Sequence, residues 1–394
     1  MKIEINEHYL DLKESYLFSE IARRVSAYSA QHPDKKIIRL GIGDVTLPLA
    51  PSVIAAMSAA VQEMADKATF RGYAPEYGYD FLRQAISRHY ASLGVDVSAD
   101  DVFVSDGAKS DVGNIVDILG DNTVLIPDPV YPVYLDSNIM SGRRVQFLDA
   151  CASNGFLPMP DGLSGEGYVI YICSPNNPTG AVYSGEQLGR WVDFAVRTGS
   201  LIIYDSAYEA FISGDQPHSI YAVPGAERCA VEICSLSKTA GFTGTRCAWT
   251  VVPQALQTDG GVKVKNLWAR RQATKFNGVC YIVQRGAEAA LSQQGMAECR
   301  QNIAYYMNNA KLISDMLRRK GIFFTGGDSS PYIWLKCPEG MDSWSFFDML
   351  LQRVQVVGTP GAGFGRNGEG FFRLTSFGDR QSTEEAVRRL EQVL

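Results

Sequence analysis

The 394-residue chain is poor in the features that mark several large protein classes. No stretch approaches the roughly 20 apolar residues of a membrane span. The opening Met1-Lys2-Ile3-Glu4-Ile5-Asn6-Glu7 has no apolar leader core. Histidine is scarce: His8, His32, His89 and His218 are scattered without metal-ligand spacing, so no metal is expected. None of the eight cysteines stands in a CxxC pair, and several sit in apolar runs, as reduced and mostly buried thiols of a cytosolic protein do. Basic residues are outnumbered, 37 Lys+Arg against 43 Asp+Glu, for a net charge of −6. That balance argues against nucleic-acid and membrane-surface partners. Repeats and low-complexity tracts are missing. These absences lead to the expectation of a cytoplasmic globular protein with no metal, nucleic-acid or membrane partner.

What the chain does have is 46% hydrophobic residues in short runs separated by helix-like stretches. Val102–Val104, Thr123–Ile126, Tyr168–Ile172, Leu201–Tyr204 and Ala230–Ile233 read as strands, most of them ending in a polar or Gly/Pro turn. Val112–Leu119 and Gln187–Arg197 read as helices. Strand–turn–helix alternation predicts an α/β fold with βαβ units and a mostly parallel sheet, whose ligands lie beyond the carboxyl ends of the strands. A long helical pattern from Gln284 to Arg319 precedes the short strands Pro331–Leu335 and Gly370–Leu374, which flank a helix near Trp344–Arg353. This predicts a second, smaller α+β domain. The expected division is residues 1–50 with 284–394 for the small domain and 51–283 for the large one.

Ser235-Leu236-Ser237-Lys238, followed by Gly244-Thr245-Arg246, is the most informative segment. A lysine amine forms a Schiff base with an aldehyde. Ser235, Ser237 and the planar fork of Arg246 suit a phosphate. Pyridoxal 5'-phosphate needs both. Taken alone, the segment also reads as a polar loop with a solvated lysine.

Other stations add to it. Asp205 closes a predicted strand, where a carboxylate can pair with a protonated pyridine nitrogen or simply cap a helix. Tyr208, three residues on, is placed to hydrogen-bond a phenolic oxygen or to pack in a core. Ser174-Pro175-Asn176-Asn177-Pro178-Thr179-Gly180 fixes a turn after another strand and offers the Asn177 amide to the same oxygen. Gly107-Ala108-Lys109 opens a helix whose N–H groups suit a phosphate. Tyr131 offers a ring to stack on a planar ligand. Arg373 lies in the apolar run Phe371–Leu374, where a charge is costly unless a substrate carboxylate or an internal acid pairs with it.

In order and spacing, these stations resemble the fold type I pyridoxal-phosphate-dependent aminotransferases. Within that group the likeness is to the LL-diaminopimelate aminotransferases, and it covers nearly the whole chain. It is carried by Ser15–Arg24, Leu40–Thr46, Val104–Lys109, Tyr204–Tyr208, Gly241–Gly244, Phe276–Gly278 and Gly361–Gly365. The resemblance implies a large domain with a mixed, mostly parallel seven-stranded sheet between helices, and a homodimer with shared active sites. It implies Lys238, Asp205 and Tyr208 as catalytic residues. It implies cofactor contacts from Tyr73, Ala108, Lys109, Tyr131, Asn177, Ser235, Ser237, Arg246 and Asn277 as well. Substrate contacts are expected from Tyr16, Gly43, Glu76, Lys109, Tyr131, Asn177, Asn277 and Arg373, with Tyr73, Glu76 and Asn277 reaching into the partner's site. Two departures are visible. Tyr77 stands where plant-type members carry glutamine, and Val279-Cys280-Tyr281 replaces small polar residues. Both are expected in the region that reads the distal end of the substrate.

The implied reaction interconverts LL-2,6-diaminopimelate plus 2-oxoglutarate with tetrahydrodipicolinate, glutamate and water, a step of lysine and peptidoglycan-precursor synthesis. Alternatives on the same scaffold are an aminotransferase for lysine, aromatic or branched amino acids, or a β-lyase. A cofactor-dependent regulator would need a DNA-binding domain for which the length and acidic charge leave no room.

Overall fold

The computed structural model describes residues 3–12, 17–41 and 43–394. Its strands are β1 (Ile38–Arg39), β2 (Val102–Ser105), β3 (Val124–Asp128), β4 (Val145–Asp149), β5 (Val169–Cys173), β6 (Leu201–Asp205) and β7 (Ala230–Ser235). They continue with β8 (Ala248–Val251), β9 (Phe324–Gly326), β10 (Tyr332–Lys336), β11 (Val356–Val357), β12 (Thr359–Pro360) and β13 (Phe371–Thr375).

Seven strands form one sheet in the order β2-β8-β7-β6-β5-β3-β4. The pairs among β3, β4, β5, β6 and β7 are parallel, while β8 runs antiparallel to both of its neighbours. This is the mixed, mostly parallel seven-stranded α/β architecture expected. Apart from the edge strand β4, the strands are buried on both faces, which is why they read as continuous apolar runs rather than alternating ones. Val169, Tyr171 and Ile203 pack into one core, and Ile170, Ile172, Ile202 and Tyr204 into another on the opposite side. The period of two in side-chain direction divides them.

The helices covering this sheet show why they form. Gly185–Thr198 starts at the Ser184 cap, whose hydroxyl accepts from Gln187 N–H while Gln187 returns the bond. It stops at Gly199, which sits at φ 58°. Leu188, Trp191, Val192 and Ala195, at helical spacing, are buried against the sheet. Truncating a buried leucine such as Leu188 to alanine would cost about 2–5 kcal/mol.

The second sheet has the order β12-β13-β10-β9 and is antiparallel. Its core unites Ile38, Leu40, Ile333, Leu335, Phe346, Phe347, Leu350, Phe372 and Leu390. β1 pairs in parallel with β11, so the N-terminal segment joins this layer.

The long helical pattern from Gln284 to Arg319 is broken in the structure. One helix spans Tyr281–Ala290 and the next Gln293–Arg319, because the Ser292 hydroxyl accepts from Gly295 N–H and starts a new N-terminus. Val279, Ala287, Ala290 and Cys299 pack with Leu82 and Val102, whereas Ala310, Ile313 and Leu317 pack beneath the second sheet. The Gln293–Arg319 helix therefore links the two cores. Among the described residues, no helix is long and apolar enough to cross a membrane, and no group of side chains could hold a metal ion.

Candidate active site

A cavity of about 450 Å³ opens at the carboxyl ends of β5, β6 and β7 and is closed on the other side by residues of the second sheet. Its wall includes Gly43, Ala108, Lys109, Tyr131, Asn177, Asp205, Tyr208, Ser235, Ser237, Lys238, Arg246 and Arg373. Residues from widely separated segments thus meet where the strand topology alone would place a ligand.

Asp205 ends β6 and is buried. Tyr134 donates to its Oδ2 at 2.6 Å and the Ala207 N–H donates to Oδ1 at 3.0 Å. Burial pushes its carboxyl up from the ordinary range, with those two bonds opposing the shift. Among the described residues, no cationic side chain forms an ion pair with it. The cavity therefore holds a buried acid whose charge lacks a partner.

Arg373, on β13, is 1% exposed. Nη1 donates to Asn177 Oδ1 at 2.6 Å, and Nη2 donates to Gly41 O at 2.7 Å and to Thr359 Oγ1 at 3.4 Å. Nε is buried without a hydrogen-bond partner among the described residues. Burial lowers its affinity for the proton, with nearby Tyr332, Tyr208 and Tyr131 opposing. No carboxylate among the described residues pairs with it, so the internal salt bridge that sequence left open is not there. A buried guanidinium on neutral partners is costly and suits an incoming anion.

Lys238 lies in the short helix Leu236–Thr239, which Ser235 caps by accepting from Ser237 N–H at 3.0 Å. Its Nζ donates to the Gly43 carbonyl. Burial pushes the ammonium down to about 8; Asp44 opposes the shift, and Arg373 and Arg246 add to it. Beside it, Arg246 donates to Ser237 Oγ at 3.4 Å and to Thr243 O at 3.2 Å. A side chain at Gly107 would stand 2.0 Å from Arg246 Nη2, so only glycine lets the helix start at Ala108 approach the guanidinium. Lys109, Lys238, Arg246 and Arg373 line the cavity against Asp44 and Asp205, a cationic balance fitted to a doubly anionic ligand.

Sequence reasoning did not single out Tyr134 or Tyr332. Tyr134 follows Tyr131 by one helical turn, a spacing that could have pointed to it. Tyr332 sits in an apolar strand, and nothing local marks it. A larger cavity of about 840 Å³ is lined by His89, Glu209 and His218. There the buried acid has side-chain partners: Glu209 lies 3.4 Å from His89 and 3.0 Å from His218. Burial opposes, yet the two histidines hold its carboxyl down to about 2.

Three expected residues are outside the 450 Å³ cavity. Tyr73 is 89% exposed, and Glu76 and Asn277 are exposed as well. Their loops touch each other, since a side chain at Gly278 would meet Pro75 O at 2.7 Å. Tyr16 lies outside the described residues. The two departures adjoin those loops, Tyr77 following Glu76 and Val279-Cys280-Tyr281 following Asn277-Gly278. Tyr77 packs edge-on against Phe103 at 5.1 Å, Val279 is buried in the core, and the Tyr281 hydroxyl donates to Glu63. Val279 and Tyr281 are buried, Tyr77 is half-buried and Cys280 is exposed, and none of them lines the cavity.

Residues 35–390 match the family model of class I and II aminotransferases. The chain is 53% identical over 407 residues to a protein of Parabacteroides distasonis named LL-diaminopimelate aminotransferase, with 99% of each chain covered. It is 51% identical over 406 residues to one of the same name from Prochlorococcus marinus, covering 98% of this chain and 99% of that one. The solved L,L-diaminopimelate aminotransferase of Chlamydomonas reinhardtii superposes with a TM-score of 0.94 at 41% identity, covering 100% of this chain and 99% of the other. A Thermus thermophilus aspartate aminotransferase variant shares the fold, with a TM-score of 0.88 at 21% identity over the full length of both.

Proposed function

Because the chain belongs to the class I and II aminotransferases, we infer that it transfers the amino group of LL-2,6-diaminopimelate to 2-oxoglutarate, giving tetrahydrodipicolinate, glutamate and water, or runs the reverse. Enzymes of this family are in general dependent on pyridoxal 5'-phosphate. The observation that carries the reading is the pair of uncompensated buried charges, Asp205 and Arg373, facing one cavity with the depressed amine of Lys238.

The residues present fit that cofactor. Asp205 lacks the cation that a pyridinium nitrogen supplies. Gly107, the helix start at Ala108, Ser235, Ser237 and Arg246 make a cradle for a phosphate, with Lys109 beside it. Tyr131 borders the space for the ring, and Tyr208 and Asn177 are placed for its phenolic oxygen. When bound, the cofactor withdraws electrons from the substrate's Cα, making its hydrogen acidic. Arg373 takes the α-carboxylate through its fork, and Asn177 Oδ1 orients that fork. Gly43 leaves room for the substrate beside Lys238. Lys238 carries the Cα proton, and its depressed basicity keeps part of the amine unprotonated near neutral pH.

The distal ammonium of diaminopimelate needs a carboxylate, and the distal carboxylate of glutamate needs donors. Glu76 is assigned to the ammonium, Lys109 and Asn277 to the carboxylate, and Tyr73 to the cofactor, with Tyr73, Glu76 and Asn277 reaching across a homodimer interface; the exposure of these three outside their own chain's cavity supports this. Tyr16 is assigned to the substrate from the resemblance. The same reading places the protein in the cytoplasm and divides it into two domains around its two sheets. The packing of Val279, Ala287 and Cys299 favours a second boundary inside the Gln293–Arg319 helix rather than at residue 284. A coupled assay with LL- and meso-diaminopimelate, lysine and glutamate as amino donors tests the function. Turnover with LL-diaminopimelate and glutamate is expected. Lysine as the preferred donor would overturn the substrate assignment.

A further inference from the structure

We propose that Tyr332 is a positioning residue that joins the carboxylate receptor to Tyr208, its hydroxyl donating to the Tyr208 hydroxyl while its ring backs the Arg373 guanidinium. The inference rests on the function proposed above and concerns the same cavity.

Tyr332 opens β10 of the second sheet, is 1% exposed, and lines the cavity. Its hydroxyl is hydrogen-bonded to that of Tyr208, which follows β6 of the other sheet. The rings meet edge to face, 5.0 Å apart at 69°. The Arg373 guanidinium carbon stands 4.5 Å from the centre of the Tyr332 ring. Register explains the contact: Arg373 pairs with Trp334, so Tyr332, two residues back on the same face, is its diagonal neighbour. The hydroxyl also lies over Gly43, where a Cβ would approach it to 2.7 Å, and the Gly43 carbonyl accepts from Lys238. One phenol thus touches Tyr208, Arg373 and Gly43.

The proton between the two phenols is assigned by what each hydroxyl can reach: Tyr208 is placed for the cofactor's phenolic oxygen, so its own O–H is taken up there and its oxygen is left to accept from Tyr332. Burial raises both phenols, so both keep their protons. Tyr208, accepting, keeps its own O–H for the cavity, strengthened as a donor by the bond it receives. Tyr332 does not itself need to touch the cofactor; it sets how strongly Tyr208 donates to the cofactor's phenolic oxygen. A weaker donor there leaves more electron density on the cofactor and raises its affinity for a proton.

The test is a pH titration of the holoenzyme's visible absorbance, with KM measured in parallel. Tyr332→Phe keeps the ring and removes the donor. Its midpoint should rise by at least about half a pH unit, a threefold change in proton affinity, while KM for 2-oxoglutarate moves by less than about twofold. Tyr332→Leu removes the ring as well and should raise KM for both substrates by about fivefold, the effect of losing the stacked cation. In a Tyr208→Phe background, Tyr332→Phe should move the midpoint no further. An unmoved midpoint in Tyr332→Phe, or an equal shift without the Tyr208 hydroxyl, overturns the proposal and leaves the proposed function intact. A wild-type protein that binds no pyridoxal phosphate overturns both. Apo-protein melting temperatures are the control: a collapsed Tyr332→Phe fold would show Tyr332 to be merely structural and also overturn the proposal.

Discussion

The cavity and the loops that carry Tyr73, Glu76 and Asn277 are built on different terms. In the cavity, Asp205, Lys238 and Arg373 are each fixed by neighbours of their own chain, and two of them remain electrically unanswered. On the loops, expected site residues stand exposed beyond the reach of that cavity. The difference teaches that the charged groups proposed to hold a cofactor and an α-carboxylate gather within one chain, whereas the residues proposed to read the far end of a dicarboxylic diamine do not join them there.

Removing Lys238 should break the first half most severely. In Lys238→Ala, transamination should fall by at least about 10³-fold, within the range for a lost general base. Pyridoxal phosphate should still bind through Ser235, Ser237, Arg246 and Asp205, as equilibrium dialysis can show. Loss of binding with loss of activity would mean that the cradle is not formed by those groups.

Arg373→Lys keeps the charge and loses the fork. A charge-assisted contact of roughly 1.5–3 kcal/mol predicts a loss of about ten- to a hundredfold in kcat/KM. Because both substrates present an α-carboxylate, stopped-flow of the two half-reactions should show it equally. A loss confined to one of them would move the α-carboxylate elsewhere.

The low basicity of Lys238 sets a pH dependence. Its folded value near 8 lies below the ordinary 10.5, so the amine is neutral above about pH 8 in the folded protein. Capture of pyridoxal phosphate by apo-protein should therefore speed up about tenfold per pH unit below 8 and level off above it. Continued acceleration to pH 10 would show an ordinary lysine. Between about 8 and 10.5 the unfolded chain holds this proton and the folded chain does not, so this group adds apo-protein stability as pH rises through that window.

The smallest effect belongs to the loops. Glu76→Gln should lower kcat/KM for diaminopimelate relative to glutamate by more than about twofold, roughly 0.4 kcal/mol, since glutamate has no distal ammonium. Mixed with Lys238→Ala chains, it should form hybrids in which one site regains both wild-type residues. Diaminopimelate activity above that of either parent is expected. A hybrid no better than Glu76→Gln alone would place Glu76 in its own chain's site.

Much of this was legible in the sequence because the chemistry sits at strand ends. Asp205, Ser235 and the turn before Asn177 follow apolar runs directly, and a parallel sheet gathers such ends at one edge. Arg373 stood out as a charge in an apolar strand. Tyr134 and Tyr332 did not, because a tyrosine in an apolar run looks the same whether its hydroxyl meets a carboxylate, another phenol or nothing. The antiparallel insertion of β8 left no local mark either, and Ser292 hid a helix start inside a continuous helical pattern. Tyr77 and Tyr281 stand beside the expected substrate loops, and that their rings pack against Phe103 and against Tyr79 and Phe81 depends on which neighbours the fold supplies.

The central claim is that Lys238, Asp205 and Arg373 pass an amino group from LL-diaminopimelate to a cofactor held between them. Mixing holoenzyme with LL-diaminopimelate alone, with no oxo acid present, tests it in one step. The account predicts one equivalent of tetrahydrodipicolinate per chain, and then one equivalent of glutamate when 2-oxoglutarate is added. No product until both substrates are present would contradict it.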